Sequence, residues 1–520
     1  MANDSTTRIM QGLRAWITEA PPGARVPSNR ALVAEYGASP ITVQKAMRAL
    51  GALGLIESRP GVGTFVRAVR PARPLDFGWQ TAALRAPQAP IPALSTPLRS
   101  ISPDAIGLHA GFPDRTLLPE RLVRSALTRA ARTDAALTRP ATAGLLELRS
   151  WFATELAEAT PAGLTPPAAR DVVILPGSQS GLSSIFRALV GFGQPLLLES
   201  PTYWGAILAA AQAGVHVVPV PSGPEGPDPD ELARAFDETG ARVFYGQPNF
   251  ANPTGAQWPA ERGERILDVV RARGAFLVED DWAHDFGIET TVRPLATQDD
   301  NGHVVYLRSL TKSVSPTVRV AAVIARGPAR DRILADRGAE SMYVSGLLQA
   351  AALDVVTQPG WHTHLRALRQ QLRARRDLLV GCLAEHVPQA HLEHVPRGGL
   401  HLWARLPDET DLDRLARDCE AEGVMIAPGN EWFPAEPSGP YIRLNYSGPD
   451  PERFADGARV LGRALSGHHR KSFGVSTAQL PAGRTAPRPE YGSGTRPSAR
   501  HAQRKPGSAD TREGLPMTTT

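Results

Sequence analysis

The chain runs to 520 residues, too long for one ordinary hydrophobic core, so two or more folded units with linkers between them are expected. Its net charge of +5 is too small to identify a nucleic-acid binder. The basic excess is placed unevenly, however: residues 1–70 hold nine Arg and Lys against four Asp and Glu, and the stretch after Ser466 holds nine against three. The ends are therefore the candidates for touching a polyanion. Cys382 and Cys419 are too few for a disulfide framework, and their neighbours suggest no metal site, which points to a reducing interior. No apolar run reaches membrane length and the polar N-terminus carries no signal-peptide pattern, so the sequence reads as cytoplasmic, with no membrane partner.

From the N-terminus, Ile9, Met10, Leu13, Trp16 and Ile17 recur at helical spacing and predict one buried stripe, stopped by Pro21-Pro22-Gly23. Ser28 is placed to cap a second helix carrying Ala31, Leu32 and Tyr36, which Gly37 ends. Ser39-Pro40 opens a third helix, with Val43, Met47 and Leu50 facing inward and Thr42, Gln44, Lys45 and Arg48 facing mostly solvent. Leu55–Arg59 and Thr64–Val69 read as strands joined through Pro60-Gly61-Val62-Gly63.

Proline and alanine replace periodic pattern over 71–104, which reads as a linker. Residues 105–465 alternate strand runs with helices, the strands being Val172–Leu175, Pro195–Leu198, Val215–Val220, Arg242–Tyr245, Phe276–Val278 and Val304–Leu307. That alternation predicts an α/β unit, a mostly parallel sheet with helices on both faces. Residues 466–520, rich in Gly, Pro, Ser, Thr and Arg, have almost nothing apolar to bury and are expected to form a disordered basic tail.

Three helices and a hairpin within residues 1–70 can lay the third helix in a major groove, where Thr42, Gln44, Lys45 and Arg48 reach base edges and Ser39 opens the helix. Arg30 and Arg59 are positioned for phosphates. The segments Pro22–Arg30, Ser39–Val43 and Gly61–Val66 make this unit resemble the GntR family of winged-helix repressors along its whole length. The resemblance implies a winged helix-turn-helix that binds an operator in double-stranded DNA. Members of that family often carry Arg directly after the serine that opens the recognition helix; Pro40 stands there, so the operator cannot be borrowed from relatives.

In the larger unit, chemistry-bearing residues fall in a definite order. Strand Val172–Leu175 runs into Pro176-Gly177-Ser178-Gln179 and a helix, so the amides of Ser178 and Gln179, just past Gly177, can face a phosphate. No Gly-Lys-Thr or Gly-Lys-Ser follows, so this is not a nucleotide P-loop. Tyr203 comes after the next strand and can stack on a flat ring. Asn252, in an Asn-Pro-Thr-Gly turn, can donate to a ring oxygen. Asp280, in Glu279-Asp280-Asp281 at a strand end, can keep a pyridine nitrogen protonated; paired acids there are otherwise often metal ligands or helix caps, but no further carboxylate cluster supports a metal. Ser309-Leu310-Thr311-Lys312, continuing to Arg319, sets a lysine amine beside two phosphate-binding groups, Ser309 and Arg319. Arg443, on a late strand, offers its fork to the carboxylate of an amino acid.

These are the parts that pyridoxal 5'-phosphate chemistry needs. In this order they resemble the class I aminotransferases of fold type I, from roughly Leu108 to Leu465. With the GntR-like start, the chain resembles the MocR subfamily of regulators. That resemblance implies a fold-type I transferase domain with a smaller C-terminal α+β subdomain, and the cofactor held by Lys312 as a Schiff base with Asp280 as the second catalytic group. It also implies a head-to-tail homodimer with sites at the subunit interface. The implied activity is that of a bacterial regulator, on the nucleoid when bound to DNA, that senses the cofactor or a small amino compound.

Two positions depart from the enzymatic pattern. Relatives usually read Glu-Asp-Asp-Tyr, where the phenol bonds the ring oxygen; Trp282 stands there, and an indole replaces a phenol in neither reach nor acidity. The tyrosine that aminotransferases lend across the dimer to the phosphate is also absent, the segment being Leu137-Thr138-Arg139-Pro140, whose Arg139 offers a different phosphate ligand. Both changes favour ligand sensing over turnover. Two alternatives stay open: an active aminotransferase carrying a DNA-tethering domain, and a cofactor-free dimerisation module.

Overall fold

The structure, a computed structural model, describes residues 5–67, 96–102 and 104–472, with side chains as far as 467. The chain divides into two compact units, Met1–Pro90 and Ile91–Thr520. The expected linker as far as 95, and the expected tail beyond 472, lie outside the described residues.

In the first unit, α1 (Ser5–Glu19), α2 (Asn29–Tyr36) and α3 (Pro40–Ala52) precede a hairpin of β1 (Ile56–Arg59) and β2 (Gly63–Val66). Ile9, Leu13, Leu32, Val43, Ala46 and Leu50 make its core, closed by Ile56 and Val66 of the hairpin. The Ser28 hydroxyl accepts from Ala31 N, Gly37 ends α2 at φ 59°, and the Ser39 hydroxyl accepts from Thr42 N. Trp16, expected in the buried stripe, is 36% exposed, whereas Ile17 beside it packs against the core. Residues 23–26 line β2, with Val26 N donating to Thr64 O and Val66 N to Ala24 O, and Arg25 donates to Val62 O in the wing turn. The Pro-Gly-Ala-Arg segment therefore buttresses the wing. Val69, expected to end the second strand, lies outside the described residues.

In the second unit, a short turn over Thr96–Leu98 precedes β3 (Ile106–Gly107). Thr96 bonds the Glu431 carboxylate through its amide (3.1 Å) and hydroxyl (2.6 Å), and Arg99 pairs with Glu420 at 2.7 Å. The end of the stretch that reads as a linker is thus packed, through polar anchors that carry no periodic signal.

The large sheet comprises β4 (Val172–Leu175), β5 (Pro195–Ser200), β6 (His216–Gly223), β7 (Gly226–Pro227), β8 (Val243–Gly246), β9 (Phe276–Asp281), β10 (Val304–Ser309) and β11 (Ala321–Ile324), in the order β4-β11-β10-β9-β8-β5-β6-β7. It is parallel except for β11 and the edge strand β7. Successive residues feed opposite cores, Phe244 and Leu277 one, Val243, Tyr245 and Val278 the other. A strand buried on both faces has to be apolar at every position, so these strands read as continuous runs. Of the two unforeseen strands of this sheet, β7 extends the far edge, and β11 follows the lysine loop and returns antiparallel between β10 and β4.

A smaller α+β subdomain completes the unit. Its sheet holds β12 (His391–Leu392), β13 (His401–Arg405), β15 (Ala427–Pro428) and β16 (Tyr441–Asn445), while β14 (Val424–Met425) pairs with β3. The last helix reaches Ser472, past the expected start of the tail.

Candidate cofactor pocket and DNA-reading face

Ligands of open α/β sheets sit beyond the C-terminal ends of the strands, and the predicted residues gather there. Ser178, Gln179, Tyr203, Asn252, Asp280, Ser309, Lys312 and Arg319 line one pocket, together with Phe112, Gln247, Trp282 and Thr311.

Strand parity decides among the three acids of β9. Glu279 faces away and accepts from the amides of Leu295 (2.9 Å) and Ala296 (2.8 Å), while Asp281 accepts from Tyr306 at 2.6 Å. Asp280 points into the pocket. Its Oδ2 accepts from the Tyr245 hydroxyl (2.8 Å) and Gln247 Nε2 (2.9 Å), and its Oδ1 is buried without a partner. Burial pushes the carboxyl up to about 6, although the Gln247 and Tyr245 bonds and nearby Lys312 act the other way.

Gln247, which sequence reasoning missed, accepts from Asn252 N at 2.8 Å with its carbonyl while its amide holds Asp280. One side chain thereby sets the spacing of the acid and the asparagine. The only sequence signal was its place directly after a buried strand. Asn252 Oδ1 accepts from Trp432 Nε1 and Arg443 Nη1, both at 3.1 Å. Since those groups only donate, the amide nitrogen of Asn252 is the end left to donate elsewhere.

At the opposite end, Gly177 (φ 100°) turns β4 into α4 (Ser178–Leu189). Arg319, itself at φ 51°, donates to Pro176 O and lies so close that a Cβ at 177 would be 2.6 Å from its guanidinium. Ser309 accepts from Thr311 N, and the hydroxyls of Ser178 and Thr311 are buried without partners. Tyr203 donates to Gln179 Oε1 (3.0 Å).

Lys312 Nζ lies 3.9 Å from the centroid of the Trp282 ring. Burial, reinforced by Arg443, lowers its pKa to about 7. The Trp282 N–H is consumed by Phe250 O at 3.1 Å, so its face, not its donor, meets the lysine. Arg443 is adjacent but fully engaged at its two Nη atoms: Nη1 donates to Asn252, and Nη2 to the carbonyls of His109 (2.7 Å) and Ala110 (3.1 Å). Its buried Nε alone is unpartnered. Contrary to the expectation of an open fork, the guanidinium is held by protein acceptors over the Trp432 ring.

The fit to pyridoxal 5'-phosphate rests on these orphaned atoms. Two hydroxyls, a helix N-terminus and an arginine converge at one end and an unpartnered acid oxygen at the other, with a lysine of lowered pKa between them. Bound there, the cofactor supplies a protonated ring that withdraws electrons from an amine joined to its aldehyde carbon.

On α3 of the first unit, Gln44, Lys45 and Arg48 are exposed, and Thr42 is half-buried with its hydroxyl on Ser39 (2.9 Å). Arg30 is exposed on α2. Arg59 is exposed but paired with Glu57 at 2.5 Å and stacked on Phe65. Among the described residues no cluster of His, Cys, Asp or Glu is placed to hold a metal, and no helix is long and apolar enough to cross a membrane.

A helix-turn-helix with a wing, joined to a fold-type I transferase domain, is the architecture of a DNA-binding transcriptional regulator. Residues 103–461 match the family described as aminotransferase class I and II, and residues 5–66 match bacterial regulatory proteins of the gntR family. The chain belongs to the aminotransferase class I and II family, in the MocR-like arrangement that sets a gntR-type helix-turn-helix before that domain, and its cofactor is pyridoxal 5'-phosphate. It is 30% identical over 371 residues to 2-aminoadipate transaminase of Thermus thermophilus, covering 70% of this chain and 91% of that protein. It is 26% identical over 455 residues to the probable rhizopine catabolism regulatory protein MocR of Rhizobium meliloti, covering 85% and 89%. The crystal structure of LysN, an alpha-aminoadipate aminotransferase from Thermus thermophilus complexed with N-(5'-phosphopyridoxyl)-L-leucine, matches with a TM-score of 0.67 and 29% identity, covering 73% of this chain and 96% of that one.

Proposed function

We propose that this regulator changes its affinity for an operator when pyridoxal 5'-phosphate, or a small amino compound arriving at that cofactor, occupies the pocket around Lys312. The observation that carries this reading is the fate of Trp282: its only donor is bonded to Phe250 O, so the pocket can hold the cofactor but has no phenol at that position. Asp280 would hold the ring nitrogen and Asn252 the ring oxygen; Ser178, Ser309, Thr311 and Arg319 would hold the phosphate. An effector shifts DNA affinity only if it binds two conformations unequally. Thr42, Gln44, Lys45 and Arg48 would read bases, with Arg30 and Arg59 on phosphates.

The working assembly is a head-to-tail homodimer in the cytoplasm, on the nucleoid when bound to DNA. Leu137 (94% exposed), Leu146, Met342 and Tyr343 are large apolar side chains left in solvent by one chain, and Gly346 packs against the backbone of Ala135 and Thr138, bringing these segments together. A partner covering them would also receive Arg139.

The test is fluorescence anisotropy on duplex DNA from the region upstream of the gene, with and without cofactor and amines. An amine-dependent change in affinity, lost in Lys312→Ala together with the cofactor's absorption band, is expected. DNA affinity indifferent to both overturns the proposal. The second reading, a working transaminase tethered to DNA, is favoured by the retained Asn252, Asp280, Lys312, Arg319 and Arg443; it requires steady turnover near the enzyme median of about 10 per second.

A further inference from the structure

Beyond the cofactor pocket lies a cavity of about 720 Å³, between the Asn249–Gly263 region of the large sheet's side and the loop His394–Arg397 of the small subdomain. Arg293, Arg397 and His394 line it, with Asn249 and Gln298; Glu264 is the one carboxylate among its lining residues. Arg293 and Arg397 are exposed and form no ion pair among the described residues; Glu289 is bound by Arg376 at 2.6 Å and Arg373 at 3.8 Å, which with Arg397 hold its carboxyl below the usual range. Both ring nitrogens of His394 are buried with no hydrogen-bond partner. Buried polar atoms are normally paired, and a site with surplus cations and unpaired nitrogens is built for an acceptor that brings negative charge.

We infer that this cavity is a second ligand site, for a small anion with two or more negative charges, and that it acts on the cofactor pocket through the Asn252 turn. A Cβ at Gly255 would stand 2.6 Å from Pro396 and 3.8 Å from His394 Nε2, so the loop rests on the turn that presents Asn252. The same loop is tied to the segment after Trp282: Ile288 N and Glu289 N both donate to Arg397 O, and Arg376 donates to Pro396 O. An anion drawing Arg293 and Arg397 together closes the loop against that turn. The inference goes beyond the regulator reading, since the site exists whether or not DNA is bound.

The test is calorimetric titration of full-length, cofactor-loaded protein with pyrophosphate and, in a parallel arm, citrate, at constant ionic strength. Loading fills the pocket's own phosphate place. One site per chain is expected, its affinity falling roughly tenfold or more in Arg293→Ala/Arg397→Ala and in His394→Phe. Binding of pyrophosphate alone marks the ligand as a phosphate, and binding of citrate alone marks it as a carboxylate. If the double variant melts early, Arg293→Gln replaces it. Neither anion binding, or equal affinity in wild type and variants, overturns the inference. DNA binding is measured separately; its loss with anion binding intact sinks the regulator reading and spares this one.

Discussion

The Lys312 amine and the Trp282 indole face each other at 3.9 Å. A desolvated cation–π contact contributes about 2 kcal/mol or somewhat more towards the charged form. The fall of the lysine pKa from 10.5 to about 7 corresponds to roughly 5 kcal/mol in the other direction. Desolvation wins, and the amine is about half neutral at pH 7. Because the neutral amine attacks the aldehyde, the rate of cofactor uptake rises with pH through about 7 and levels off above 8. Stopped-flow absorbance checks this; a profile still climbing towards 10 would show an ordinary surface-like lysine.

Trp282→Tyr returns a phenol beside the ring oxygen, whereas Trp282→Phe removes the indole without adding a donor. The tyrosine variant is expected to speed single-turnover transfer from amino acid to cofactor by roughly tenfold or more, within the range for a placed proton donor, and the phenylalanine variant is not. Equal rates in both would show that the residue at 282 does not limit the transfer.

Asp280 carries a stability cost in the cofactor-free protein. Its folded pKa, about 6, lies above the ordinary aspartate value of 3.8, so the fold prefers the protonated acid. The resulting stabilisation is complete below about pH 3.8 and is lost as pH rises through 6. Asp280→Asn should raise the apo melting temperature at pH 7.5 and flatten its change between pH 4 and 6, while weakening cofactor binding. Differential scanning fluorimetry across pH reads the first effect and absorbance titration the second. An apo protein made less stable by this change contradicts the account.

Gly177→Ala tests the phosphate end. The residue sits at φ 100°, and its new Cβ would press on the Arg319 guanidinium at 2.6 Å. Backbone strain of about 1–3 kcal/mol is expected, with a larger loss in cofactor affinity, measured by equilibrium dialysis, than in thermal stability.

For the first unit, Arg30→Ala should weaken binding to all sequences alike and lower the salt slope by about one, as for a phosphate contact. Gln44→Ala should instead lose about 1–3 kcal/mol at one base position and relax the preference there. Anisotropy at several salt concentrations on two duplexes separates them; indistinguishable behaviour of the two variants would show that α3 does not read bases.

Amino-acid order alone settled the chemical inventory: a wing and three helices from caps and glycines, a doubly covered sheet from continuous apolar runs, and the turn, acid and lysine motifs that announce the cofactor. Those signals are local, carried by residues a few positions apart. Strand parity agrees with the Asp280 expected from its motif, turning Glu279 and Asp281 to the opposite face. Other things were decided only when distant segments met. The carbonyl of Phe250 claimed the Trp282 donor, and the carbonyls of His109 and Ala110, some 330 positions away, claimed the Arg443 guanidinium whose place on a late strand had offered its fork to a carboxylate. Gln247 acquired its place between Asp280 and Asn252 because the polar groups around it were buried together and had to be paired with one another, a demand that arises only inside the packed fold.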